Sequence, residues 1–216
     1  MNQLDPGLRR DDGRSELKAI KEPTILLLSG FILLGITAIH LHDYPTWWME
    51  TAPIFIALPI LIATFKTYRL TSLTYRLLFL HAIILMVGGH YTYAEVPLGY
   101  WMQDWFGFAR NNYDKIGHLA QGFIPAMLFR ELLLRSSPLQ QGKLLFTLVT
   151  ACCLAVSAVY ELIEWGAAEA MGQGADAFLG TQGYAWDTQS DMLMAWIGAM
   201  VAQVVLWKVQ DRQIAG

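Results

Sequence analysis

The chain alternates between long apolar runs and short polar connections, and its apolar residues fill whole segments instead of marking one helical stripe. A helix needs ~20 mostly apolar residues to cross the hydrocarbon core of a bilayer. Six segments qualify, at about 23–40, 47–65, 73–94, 113–134, 144–165 and 189–207, the second and sixth being broken or short. The pattern predicts an all-α, polytopic transmembrane bundle that forms one domain over residues 23–210. Residues 1–22 carry clustered charges, Gly and Pro without apolar periodicity, and read as a disordered cytoplasmic tail. Their LDPGLRRDDGRS stretch also reads like translated repeat sequence, which would place the true start downstream. This is no signal peptide, because the apolar run that follows is long enough to stay in the membrane and lacks a small-residue cleavage site.

The basic residues orient the bundle. With the N-terminus in the cytoplasm, Arg9, Arg10, Arg14, Lys18, Lys21, Lys66, Arg69, Arg76, Arg130, Arg135, Lys143, Lys208 and Arg212 fall inside. Only Arg110 and Lys115 of the 15 basic residues fall outside. The positive-inside rule therefore selects N-in and C-in with six spans. The net charge of −3 hides this asymmetry and by itself implies nothing about partners; no nucleic-acid partner is expected.

Composition agrees. Charged residues make up 15% of the chain and hydrophobic ones 55%, with a mean hydropathy of +0.36, where a soluble domain carries about 25% charged residues. The two cysteines, Cys152 and Cys153, are adjacent within the fifth span and read as small apolar packing residues. Between the third and fourth spans, EVPLGYWMQDWFGFARNNYDK sets Trp101, Trp105, Phe106 and Phe108 among polar residues. Such a mixture favours the headgroup level, so a short interfacial helix is expected there.

From Leu144 to Leu206 the chain holds six carboxylates, Glu161, Glu164, Glu169, Asp176, Asp187 and Asp191, and no lysine or arginine. Carboxylates at the edge of an apolar medium need a proton, a cation or a base to balance them. Asp114, His118 and Gln121 share one face of the fourth span, Glu161 and Glu164 one face of the fifth, and Asp187 and Asp191 one face of the sixth. In the N-in topology all of them lie at the outer ends of their helices. His90, Tyr93 and Glu95, at the outer end of the third span, are candidates to join them. The aspartates stand near helix N-termini, which tolerate anions, and Asp187 or Asp191 also suits a cap. Glu161 and Glu164 stand near a C-terminal end, where negative charge is unfavourable.

Three readings compete for this cluster. Arg110, Lys115 and His118 pair with the acids in a structural network; or the acids and the imidazole hold a divalent cation of unspecified identity; or they serve a proton- or cation-coupled transporter. The candidate metal ligands are His118, Glu161, Glu164, Asp187 and Asp191, and the candidate catalytic groups are His118, Asp114 and Glu161. Arg110, Lys115, Tyr93 and Glu95 are candidates to meet substrate.

The strings HYTYAEVPLG, RNNYDKIGHLAQGF, SAVYELIEW and FLGTQGYAWDTQSDM resemble the YjdF family of bacterial inner-membrane proteins of unknown function. The match covers nearly all of the chain after the tail. More distantly, DK-x-x-H, E-x-x-E and D-x-x-x-D on successive helices resemble the VanZ-like family, which is linked to glycopeptide resistance. The chain departs from that pattern in having Glu164 where Gln is usual, and in lacking an Asn after Asp191. Neither resemblance implies a substrate.

Other motifs are weak. GQGADAFLGTQG lacks the Lys-Ser or Lys-Thr of a nucleotide loop and is expected to form a flexible or re-entrant connection over the acids. Ser157 has no base at helical spacing. Gly198, Ala202, Ala195 and Ala199 form small-residue rows for tight helix packing, and Arg130 and Glu131 read as an interfacial anchor. The leading expectation is an outward-facing acidic and histidine pocket of a cation-dependent enzyme or binding protein. Its partners are membrane lipids and a lipid or lipid-linked envelope substrate.

Overall fold

A computed structural model describes the backbone of residues 6–171 and 181–215, and the side chains of 21–170 and 181–215. Among these residues there is no strand. The helices are α1 (Pro6–Thr37), α2 (Tyr44–Thr64), α3 (Ser72–Tyr91), α4 (Pro97–Phe106), α5 (Tyr113–Ser136), α6 (Lys143–Met171) and α7 (Asp187–Ala215), with a 3₁₀ turn over Tyr93–Glu95. α2, α3, α6 and α7 are each long and apolar enough to cross a membrane. α1 begins in a polar stretch, and α5 carries Asp114, Lys115, Arg130, Glu131 and Arg135.

α1 departs from expectation at its start. The backbone is helical from Pro6, where a structureless tail was expected. Leu17, Lys18 and Ala19 are good helix formers, and helical hydrogen bonding can run on from the apolar segment into them. α4 forms where an interfacial helix was expected. It starts with Pro97 in its first turn and ends at Gly107, whose φ of 68° lets Phe108 N donate to the Gln103 carbonyl. Trp101, Trp105 and Phe106 on it are exposed, and Gly99 faces Asn111.

α5 and α7 are the central pair; α6 packs on both, α3 packs on α5, and α1 and α2 pack on α3. Two glycines set the central contact. A Cβ on Gly122 would stand 1.8 Å from the Ala195 carbonyl oxygen, and one on Gly198 2.2 Å from that of Leu119. Ala195, Ala199 and Ala202 are fully buried in the same seam. Between helices in lipid, close packing and hydrogen bonds supply the attraction that burial from water supplies elsewhere. Cys153 lies in the core beside Val149 and Ala199 and both cysteines are free, as packing residues should be.

The far end of α5 corrects one expectation. Arg130 and Glu131 do not face the interface; both are buried. Glu131 accepts from Thr71 N at 2.8 Å, Thr71 Oγ1 at 2.8 Å, Thr74 Oγ1 at 2.6 Å and Arg135 at 2.6 Å. Arg130 donates to Gln210 Oε1 at 2.9 Å and lies 2.7 Å from Asp211. Buried charges persist when paired and fully hydrogen-bonded, and this network ties α3, α5 and α7 together.

Candidate functional site

One to two turns beyond the Gly122–Ala195 contact, the same close approach of α5 and α7 brings acids and bases together. Lys115 Nζ lies 2.5 Å from Asp191 Oδ1, 2.8 Å from Asp187 Oδ1 and 3.2 Å from Asp114 Oδ2. Arg110 lies 2.5 Å from Asp187 Oδ1 and also donates to the Thr181 carbonyl at 2.6 Å. Asn111 and Gln182 hydrogen-bond through each other's amides, so residues 181 and 182 are stitched over this end of the site. The rest of the glycine-rich connection, with Asp176, lies outside the described residues.

His118 sits one turn deeper on α5. Its Nε2 is 3.2 Å from Asp114 Oδ1 and 3.8 Å from Asp191 Oδ1; its Nδ1 is 3.1 Å from Gln121 Oε1 and 3.7 Å from Glu161 Oε1. Both ring nitrogens thus face oxygens, and the Tyr160 ring stands edge-on to the imidazole. One ligand atom each from Asp114, His118 and Asp191 lie within 4.8 Å of one another, close enough for three ligands of one metal ion. Glu161 is buried from α6, and its Oε1 has no hydrogen-bond partner.

The opposite side of His118 opens into a cavity of about 910 Å³. Glu50, Tyr93, Asp114, His118, Tyr160 and Glu164 line one end of it; mainly apolar side chains of α1, α2, α3, α5 and α6, with Tyr75 and His81 among them, line the rest, down to Lys66. Glu50 is 3% exposed, accepts from the Tyr160 hydroxyl at 3.1 Å, and has the Tyr93 hydroxyl alongside. The Tyr93 ring is held there by packing against Gly88 and Gly117, which leave no room for a Cβ. Lys115 and Arg110 are spent on the three aspartates. Glu50 and Glu164 have no lysine or arginine paired with them among the described residues.

The structure therefore brings together Asp114, His118, Glu161, Asp187, Asp191, Arg110 and Lys115, and sets Glu164 and Tyr93 on the cavity. Two candidates from the third span do not join. Glu95 is exposed and meets His42 Nε2 at 3.3 Å, while His90 Nδ1 lies 3.0 Å from the Thr37 carbonyl. The helix ends at Tyr91, and Thr92, with φ of 63°, turns the chain, so helical spacing no longer governs where Glu95 points. Glu50 was missed by sequence reasoning. Its signal was a lone carboxylate opening an apolar run, WWMETAPIFIALPILIA, which is a functional marker in membrane helices.

The family described as "Predicted membrane protein (DUF2238)" matches residues 23–212. The chain is 52% identical to the inner membrane protein YjdF of Escherichia coli (strain K12) over 196 residues, which is 89% of this chain and 94% of that protein. No solved structure matches the chain. The more distant VanZ-like resemblance finds no support in these matches. With the family match spanning residues 23–212, the chain belongs to the DUF2238 family of predicted membrane proteins and is a multi-pass protein of the bacterial inner membrane.

Proposed function

We propose that this protein binds a lipid or lipid-linked envelope substrate, with its apolar part in the intramembrane cavity and its polar end at His118, Glu50 and Glu164. The observation that carries this reading is the continuity of the two surfaces. An acid- and tyrosine-lined end leads into about 910 Å³ of apolar space, a size in the usual range for small-molecule pockets. His118, with Asp114 on one nitrogen and Glu161 3.7 Å from the other, is the group placed to move a proton there. The topology we propose is N-in and C-in, with α1, α2, α3, α5, α6 and α7 spanning and α4 on the outer interface. It is supported by the basic residues and by Trp47, Trp48, Trp101, Trp105, Trp165 and Trp186, six of the eight tryptophans, gathering at the site end. Native mass spectrometry of protein released from mild detergent tests the binding. The wild type should retain a lipid-sized adduct that Ala57→Trp, which fills the cavity wall, loses. A bare wild-type mass, or an adduct unaffected by Ala57→Trp, would contradict the reading.

A divalent cation at Asp114, His118, Asp191 and Glu161 is a second reading, favoured by the clustering of three ligand atoms and by the unpartnered Glu161 oxygen. A cation that binds only the folded state raises its stability. Metal should then co-purify with the wild type and raise its melting temperature, and Glu161→Gln and Asp191→Asn should lose both effects. If chelators and added metals leave the melting temperature unchanged, the cluster is the ion-pair network that Lys115 already organises.

A further inference from the structure

We infer that the cavity selects an amphiphile whose head is a primary ammonium carried directly on the apolar body. The inference rests on the reading that the cavity holds an amphiphile, and it names the head group. The outer end of the cavity carries two carboxyls, Glu50 and Glu164, that no lysine or arginine among the described residues balances. That end is not simply acidic. Three aspartates close by are matched by Lys115 and Arg110 at 2.5–3.2 Å, so the bases of the outer end are already committed away from the cavity. An anionic head such as a phosphate would therefore meet two carboxyls at this end, where the one base on the lining, His118, is already engaged by Asp114 and Gln121 and where Lys66 lies at the far end, which is unfavourable where water is scarce.

An ammonium fits the same space. It has three N–H donors and no acceptor, and the lining offers it the Glu50 and Glu164 carboxyls and the Gln121 side chain. Tyr93 and Tyr160 complete the lining of this end. Behind this end the wall is mainly apolar, with His81 along it and Lys66 at the far end. Along α5 the lining runs from Asp114 to Phe129, which at 1.5 Å per residue is about 22 Å. That exceeds the ~15 Å half-thickness of a bilayer core, so an extended chain is accommodated. A lipid with a phosphate between chain and amine would set its anion against Glu50 and Glu164. The amine is therefore attached to the apolar body without an anionic spacer.

The test titrates detergent-purified protein with four probes of one chain length: an alkylamine, an alkyl-trimethylammonium, an alkanol and an alkyl phosphate. Each displaces a fluorescent fatty probe. The alkylamine should bind about tenfold more tightly than the alkanol, the scale of one charge-assisted hydrogen bond, with the trimethylammonium weaker than the amine and the phosphate weakest. Glu50→Gln and Glu164→Gln should each erase most of the amine preference, while Ala57→Trp should remove all binding without touching an acid. Elution and melting profiles like those of the wild type identify variants that still fold. Equal binding of the four probes, or an amine preference that survives both glutamate substitutions, overturns this inference and leaves the cavity reading in place. Absence of binding by every probe overturns both.

Discussion

Lys115 shows how much one residue type decides here. Its ammonium reaches three aspartates from two helices, so that α5 and α7 share one half-buried cation. Removing one partner of a buried ion cluster leaves the others uncompensated, at a cost of about 3 kcal/mol or more. Lys115→Met should therefore lower the melting temperature far more than Lys143→Met, whose side chain is exposed; equal small effects would mean that the three aspartates are balanced by something else. At the other end of α5, Glu131→Gln keeps shape but weakens four hydrogen bonds, two of them to Thr71 and one each to Thr74 and Arg135. Thermal melts should place it among the more destabilising single changes in α5, by ~2 kcal/mol or more. Helical spacing made Asp114, His118, Glu161 and Asp191 legible in the sequence, because each pair falls within a single helix. Glu50 was not legible as a partner, since what joins it to His118 is a Tyr160 contact across more than a hundred residues. Arg130 and Glu131 misled for the converse reason. A charged pair at a helix end looks interfacial until the partners on α3 and α7 are known.

At the scale of elements, apolar run length foretold the long helices, and small residues foretold the seam between α5 and α7. Gly122 and Gly198 are needed there for space, which a direct comparison can show. Gly35 lies in α1 with nothing within 4 Å of an added Cβ, whereas Gly198 would place one 2.2 Å from the Leu119 carbonyl. Gly198→Ala should destabilise by ~1–3 kcal/mol through overpacking, and Gly35→Ala should be neutral or slightly stabilising; similar melting temperatures for the two would contradict the packing. α4 presents Trp101 and Trp105 outward, with ring centroids 6.4 Å apart. In bilayers brominated near the glycerol level their fluorescence should be quenched, and aqueous iodide should have little effect. Strong iodide quenching alone would make α4 a water-exposed segment. What the sequence did not convey was the helical start of α1 and the turn at Thr92. Both depend on how the backbone continues past an apolar run, where periodicity carries no information.

For the whole molecule, the two ends differ in chemistry. The site end gathers most tryptophans and the acid cluster, and the other end gathers most of the lysines and arginines. Reporter fusions at Gly107 and Gly142 should accordingly report opposite sides, outside for the first and inside for the second, and a shared side would break the six-span arrangement. The cavity was invisible in the sequence because its walls come from five helices, each of which reads simply as a membrane segment. Only the packing of α1 and α2 on α3, with α5 and α6 facing them, leaves the space between. The claim that this space is a ligand site meets its most direct test in photolabelling. A long-chain probe with a diazirine near its tail, added to protein in lipid nanodiscs, should label cavity-lining residues such as Ile54, Leu61, Phe79 and Leu128. Excess unlabelled ligand extracted from the wild type should compete it away, and Ala57→Trp should abolish it. Labels confined to outward residues such as Ile32, Val204 and Val205, insensitive to competitor and to Ala57→Trp, would contradict the account.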